Sequence, residues 1–374
     1  MSLASPSPSS TSALTTLIAA LRQHYAGIVL PPWRAQGWNA ALNLAHESLD
    51  GHSAQPLPDI RYRAMACARQ LYVHATDPSA DAGRHAGVLF ESLQKHFINR
   101  DHGGWYYSVD AAGAPLDTAQ DLYTHAFVVF ACAAWAARSQ SVAARKLMVA
   151  TAERIESQFR RADGHYVAAL DGDWGKVLRG PAQNPVMHLT EAYLAAAAVA
   201  EPARFALQLR RIAQDVADLY LHGPTLCIAE APVGTPGNRI EPGHQFEWYA
   251  LVTGSPEVFS GLELEAATVR GAAWARLHGV RDDTAAVVAA LDLDGGIADP
   301  VERIWAQTEY TRYLALLGEH EALARQLDAL RRRFLHERGW HECLNPDGAV
   351  VRADMPATTP YHLATGYAAL PLAV

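Results

Sequence analysis

His244 and Glu247, within Glu241-Pro242-Gly243-His244-Gln245-Phe246-Glu247-Trp248, are three residues apart. On a helix their side chains leave the same face, one turn from each other. A histidine at a helix start beside a carboxylate can titrate near neutrality, which suits proton transfer. The same pair would equally serve to cap and solvate a first turn. His188 and Glu191 repeat the spacing behind the Asn184-Pro185 turn. Trp305 and Glu309 place an aromatic ring and a carboxylate one turn apart, and His362 sits in Tyr361-His362-Leu363 after the turn-rich stretch 356–360. Arg69 lies among small apolar residues and needs a partner if it points inward. His125, inside the apolar run Tyr123-Thr124-His125-Ala126-Phe127, reads by itself as a core histidine bonded to a neighbouring backbone group.

Histidine–glutamate pairs at this spacing also build di-metal centres in helix bundles, but those run Glu-x-x-His, acid first. Here the order is His-x-x-Glu twice, with no HExxH and no cysteine pair at ligand spacing. The expectation from the spacing is chemistry that needs no metal.

Elements that could hold these residues repeat along the chain. Stretches of Ala, Leu, Arg and Glu at helical spacing predict helices over 60–74, 80–97, 118–137, 142–159, 186–199, 204–220, 263–277 and 319–335, with another following Pro242-Gly243. Several are apolar on more than one side, as between Ala192 and Ala200, which suits burial among other helices. Between helices come short aromatic or β-branched runs with Gly/Asp turns, marked by Trp38, Trp105, Tyr166, Leu226, Val287 and Trp340. These landmarks recur about every 60 residues, room for two helices and a hairpin-like loop. Six helix pairs predict an all-α fold, an (α/α)6 barrel with the loops crowded at one mouth. No βαβ alternation and no phosphate-binding glycine motif is present. Residues 1–14 read as a disordered Ser/Pro-rich tail and 15–374 as one barrel domain.

Composition narrows the partners. Half of the 374 residues are hydrophobic and the formal net charge is −8, with basic residues scattered. Neither nucleic acid nor an anionic membrane is an expected partner. Four separated cysteines read as reduced thiols, and nothing resembles a signal peptide or a membrane span. The expected location is the cytoplasm.

Taken as an ordered set, Asn184…Met187-His188…Glu191-Ala192, Pro242-Gly243-His244…Glu247-Trp248, Trp305…Glu309 and Tyr361-His362-Leu363 resemble the N-acylglucosamine 2-epimerase superfamily. That group also holds cellobiose 2-epimerases and mannose or sulfoquinovose isomerases. Gly103-Gly104-Trp105, Asp117 and Tyr123 fit as well, while Val186 stands where many members have Asn. The resemblance implies the same (α/α)6 barrel, a monosaccharide substrate, no cofactor, and a homodimer as a family expectation. It implies that one histidine removes the proton beside a sugar carbonyl, giving a cis-enediol(ate), and that a second acid/base returns a proton. Carried onto this sequence, His244 and His362 are that pair, Glu247 orients or charge-stabilises His244 or shares the proton shuttle, and His188 helps open the pyranose ring and binds sugar oxygens. Arg69 would stabilise the oxyanion. Asn184, Trp305, Glu309, Tyr123, His125, Arg179, Glu191 and Trp105 are the substrate-binding candidates, with bracing of the loop the other reading of Asn184, Glu191 and Arg179 and core packing that of Trp105.

Return of the proton to C1 makes an aldose–ketose isomerase; return to C2 makes a 2-epimerase. The run 123–127 looks closer to the mannose-isomerase branch, so isomerisation of mannose-like sugars is the favoured expectation and 2-epimerisation the alternative. A glycoside hydrolase using Glu247 and Glu309, or a non-catalytic sugar-binding protein, ranks lower.

Overall fold

A computed structural model describes residues 8–58 and 60–372. Thirteen helices occur among them: α1 (Pro8–His24), α2 (Ala64–Thr76), α3 (Ala80–Phe97), α4 (Leu122–Ser139), α5 (Val142–Arg154), α6 (Gln183–Ala197) and α7 (Pro202–Tyr220). There follow α8 (Pro242–Thr253), the short α9 (Pro256–Phe259), α10 (Glu263–Gly279), α11 (Ile304–Leu317), α12 (His320–Phe334) and α13 (Thr359–Ala368). Residues 8–14, read from the sequence as disordered tail, belong to α1, whose Leu14, Ile18 and Leu21 are buried. That apolar i, i+4, i+7 stripe outweighs the Ser-rich composition. Residues 1–7 lie outside the described part of the chain.

Two kinds of helix build two rings. α7 buries Phe205, Leu209, Ile212, Ala213, Val216 and Tyr220 with Gln208, one stripe at helical spacing, and turns its opposite face to solvent. By contrast, every residue of α8 from Pro242 to Val252 is buried. Helices α2, α4, α6, α8, α11 and α13 contact one another in sequence, and α13 returns to α2 to close an inner ring. Their partners α3, α5, α7, α10 and α12 pack outside. The last pair joins the two ends of the chain: Arg22 Nη2 donates to Leu370 O at 2.9 Å and the Tyr25 hydroxyl to Pro360 O at 3.1 Å. The fold is an (α/α)6 barrel.

Each sequence landmark falls in the turn just after an outer helix, where Ile98 bridges Trp105, Arg160 bridges Tyr166 and Val280 bridges Val287. The hairpin then pairs with the residues entering an inner helix. Ser108–Val109 pairs with Tyr62–Arg63 before α2, Ala169–Leu170 with Gln120–Asp121 before α4, and Cys343–Leu344 with Glu302–Arg303 before α11. These small sheets fasten the N-termini of the inner helices around one mouth. No described helix is long and apolar enough to cross a membrane.

Candidate active site

The mouth holds a cavity of about 370 Å³, within the ~300–1,000 Å³ usual for small-molecule sites. The helical repeat decides what lines it. Positions 2 and 6 of five inner helices are Met65/Arg69, Tyr123/Phe127, Asn184/His188, Gly243/Glu247 and Trp305/Glu309, each pair one turn apart, and of these Arg69, Tyr123, Asn184, His188, Glu247 and Trp305 line the cavity. Gly243 is needed there: a Cβ would lie 2.6 Å from Cζ3 of Trp305. The Trp305 ring can therefore lie between two histidines, 4.9 Å from His244 and 5.6 Å from His362 by ring centroids.

Three histidines line the cavity, and each meets a carboxylate through Nδ1, leaving Nε2 for a substrate. His244 is 2.7 Å from Glu230 and 3.7 Å from Glu241. His362 is 3.0 Å from Glu309, and His188 is 3.3 Å from Glu191. Their charge states differ. Burial opposes the charge on His244, but Glu230 foremost, with Glu241, raises its pKa to about 9. Burial pushes His188 down to about 4 despite the Glu191 hydrogen bond. Burial, helped by the Arg69 cation, holds His362 well below the usual imidazole range. At neutral pH His244 is an imidazolium, while His188 and His362 are neutral bases. Burial raises the Glu309 pKa to about 7, while Arg312, 3.5 Å from its other oxygen, favours the carboxylate, so one proton is shared between Glu309 and His362 Nδ1.

Glu247 has both oxygens buried without a hydrogen-bond partner, and His188 Nδ1 lies 3.8 Å away. Burial, with Glu309 and Glu191 nearby, raises its pKa well above the carboxylate range, so it is a neutral acid. Arg69, 5 % exposed, donates to the Tyr123 hydroxyl at 2.5 Å and to Thr358 O at 3.4 Å. Its guanidinium lies over Phe127 at 4.2 Å and Tyr361 at 4.7 Å, a clamp that fixes a cation at the cavity wall. Three overlapping groups could also hold a metal ion: His188/Glu191/Glu247, Glu230/Glu241/His244 and Glu247/Glu309/His362, each with ligand atoms within 4.8 Å of one another.

The cavity thus gathers Arg69, Tyr123, Asn184, His188, His244, Glu247, Trp305 and His362. Other candidates stand elsewhere. Glu309 and Glu191 sit behind His362 and His188 and do not line the mouth cavity. Arg179 ion-pairs with Asp121, the N-cap of α4, and borders a neighbouring cleft instead. Trp105 is a core residue, 2 % exposed, with Nε1 donating to Thr151 Oγ1. His125 is fully buried, its Nδ1 bonded to Asp121 O and its ring against Phe159 and Trp174. Neither Trp105 nor His125 reaches the cavity, so both depart from the substrate-contact expectation. Unread from the sequence were Glu230, Glu241, Arg239, Arg303 and Glu342, which line the cavity from the connections between helices, and Gln183, which donates to Glu230 and lies 2.9 Å from His244 Nδ1. Their positions follow from hairpin pairing, which leaves no periodic signal. Gln183 and Glu241 each stood one residue from a motif.

Residues 46–366 match the family model for N-acylglucosamine 2-epimerase (GlcNAc 2-epimerase). A mannose-6-phosphate isomerase of Rhizobium meliloti (strain 1021) is 29% identical over 363 residues, covering 89% of this chain and 91% of that protein. The structure of a cellobiose 2-epimerase from Bacillus thermoamylovorans B4167 superposes with a TM-score of 0.85 at 17% identity, over 95% of this chain and 98% of that one. A D-mannose isomerase structure superposes with a TM-score of 0.79 at 16% identity, over 99% of both chains. At such identities the two structures speak for the fold, and the family-model match over most of the chain settles the rest: the protein belongs to the N-acylglucosamine 2-epimerase family.

Proposed function

We propose that the protein is an aldose–ketose isomerase of mannose-like sugars, working through a cis-enediol(ate) by histidine acid/base catalysis. Family membership and the relatives' names support the coarser statement, an isomerase or epimerase of sugars. The observation that carries the mechanism is two histidines flanking one tryptophan, each held at Nδ1 by a carboxylate, in surroundings that raise the pKa of His244 and lower that of His362.

His362 Nε2 takes the proton from C2 of the open-chain aldose. The C2–H electrons form the C1=C2 bond, and the carbonyl electrons move onto O1, which takes a proton from His244 Nε2. The O2 hydroxyl then returns a proton to His244 as C2=O forms, and His362 delivers its proton to C1. Arg69 and the N-termini of the inner helices face the developing oxyanion with positive charge. Glu247, being neutral, does not repel it. Glu309 is bonded to His362 and lies outside the cavity, so it cannot pair with Glu247 across a glycosidic bond, and hydrolysis is not supported.

Isomerisation is preferred because the R. meliloti relative, matched over nearly its whole length, carries an isomerase name. The resemblance of 123–127 to mannose isomerases acts through no sugar contact by His125, which is core. Epimerisation is the second reading, since an imidazolium beside a neutral base also suits proton exchange at C2. Incubation with mannose in heavy water separates them. Fructose carrying deuterium supports the isomerase, deuterated glucose without fructose the epimerase, and absence of exchange in any aldose refutes the enediol route.

A further inference from the structure

A second cavity, of about 410 Å³, opens at the opposite end of the barrel among the C-terminal turns of the inner helices. Its walls are mostly apolar, with Tyr72, Phe130, Leu194 and Leu251 among them. Two charged side chains reach it, Glu191 and Arg312, and neither lines the mouth cavity. Both touch the catalytic histidines' surroundings from behind. Glu191 Oε2 is bonded to His188 Nδ1 at 3.3 Å and accepts from the Tyr361 hydroxyl, while Arg312 contacts the carboxylate that holds His362. A single hydrogen bond therefore separates the two cavities, with His188 lining one and Glu191 the other.

We propose that the His188–Glu191 pair is a proton conduit between the sugar in the mouth and water at the far end of the barrel. The proposal rests on the sugar isomerase or epimerase reading above and concerns ring opening. The C1 hydroxyl of the closed ring gives its proton to His188 Nε2, and the O–H electron pair becomes the second C1–O bond. The bond from C1 to the ring oxygen breaks with its electrons on the ring oxygen, which takes a proton from water at the mouth. His188 passes its Nδ1 proton to Glu191, and Glu191 releases it to water in the far cavity. Ring closure of the product runs the same transfers backwards, so a turnover leaves no net proton.

The two groups are in the right states for this. His188 is neutral and able to accept at Nε2, and Glu191 is ionised, because His188, Arg312 and Tyr361 outweigh its burial. A carboxylate that only oriented the imidazole would need no second opening. Here Glu191 has one oxygen engaged by His188 and Tyr361 and the other left for the far side. Ala195 stands one turn beyond Glu191 on the same helix and lines the far cavity.

The test uses the full-length protein with mannose in light and heavy water. Ala195→Leu covers Glu191 from the water side, and Glu191→Gln keeps an acceptor oxygen for His188 that cannot take up a proton. Both variants are expected to lose at least fivefold in kcat and to show a larger solvent isotope effect on kcat. KM and the deuterium content at carbon in the product should stay as in the wild type, since His362 is untouched. Ala368→Leu plugs the same cavity from α13 should Ala195→Leu fail to fold, which a melting curve reports. Wild-type kcat and isotope effect in a folded plugged variant would overturn the conduit. A wild-type protein that exchanges no sugar hydrogen overturns the underlying reading instead, and that result needs no variant.

Discussion

Removing the charge of Glu230 should move the alkaline limit of activity. His244 is 4 % exposed, and burial alone would keep it neutral; Glu230 at 2.7 Å is the foremost group that keeps it protonated. With a pKa of about 9, ~97 % of His244 is imidazolium at pH 7.5 by the usual titration relation. In Glu230→Gln the hydrogen bond partner survives and the charge does not. A return merely to the ordinary imidazole value of ~6.5 leaves ~9 % protonated at pH 7.5, about a tenfold loss of the competent acid. The assay is kcat/KM for mannose against pH. The wild type should hold its rate until about pH 9, whereas the variant's rate should already fall near pH 7 and approach that of the wild type at lower pH. Glu230→Asp, which keeps the charge, should restore most of the alkaline range. An alkaline limb left unmoved in Glu230→Gln would refute the assignment of His244 as the acid. A uniform loss at every pH would show Glu230 to be structural.

Three other outcomes follow from the geometry. Gly243→Ala puts a Cβ 2.6 Å from the Trp305 ring, so we predict ~1–3 kcal/mol of overpacking cost by urea unfolding and a tenfold or greater fall in kcat/KM. Unchanged kinetics would show that the Trp305 position is immaterial. Dialysis against EDTA should leave turnover unaltered, because each active-site histidine is oriented by a carboxylate that can serve proton transfer unaided; loss of activity restored by one metal would assign a cation to one of the three ligand groups. His125 has a pKa of about 4 in the fold through burial, against ~6.5 unfolded, so the unfolded chain binds the extra proton below pH 6.5 and stability falls as pH drops toward 4. At pH 5 this amounts to ~2 kcal/mol, and His125→Asn should lose that much less stability than wild type between pH 7.5 and 5 in urea titrations; equal losses would refute it.

The helices were legible where their signal is local. The helix over 80–97 has the boundaries that its composition predicts, with Ser79 capping Ala82 N. The starts predicted at 60 and 118 come four residues early, because Tyr62–Arg63 and Gln120–Asp121 are drawn into pairing with strands about 46 and 49 residues away. The six landmarks were readable as a repeat because each closes the turn after an outer helix. Within the site, residues at helix positions 2 and 6 carried a spacing that sequence can show. Glu230 and Glu241 reach His244 from a loop and a helix cap, where no period exists. For His125 the local evidence, a polar residue in an apolar run, pointed to the core, and the family motif pointed to the sugar; burial decides for the core. Arg312 offered the same sign as Arg69, an arginine in an apolar helix, and it follows Glu309 by one turn. It passed unnoticed because its partner faces away from the mouth.

Charge neighbours, more than burial, divide labour among the histidines. His244 and His362 are both almost fully buried, 4 % and 7 % exposed, and on that ground both would be neutral. His244 has carboxylates at 2.7 and 3.7 Å, whereas His362 has one carboxylate at 3.0 Å together with the repulsion of Arg69, His244 and Arg312. In the proposed mechanism, the cations that keep His362 a base are therefore part of the same arrangement that would meet the enediolate. The carboxylates obey the same logic. Glu191, Glu247 and Glu309 are buried close together, and Arg312 is the cation beneath them. Three ionised carboxylates around one guanidinium would repel one another and the enediolate above, so the member without a hydrogen-bond partner, Glu247, carries the proton. Under the proposed mechanism, a neutral Glu247 lining the mouth would act as a hydrogen-bond donor to the developing negative charge. An ionised one would cost the transition state what Arg69 gives it.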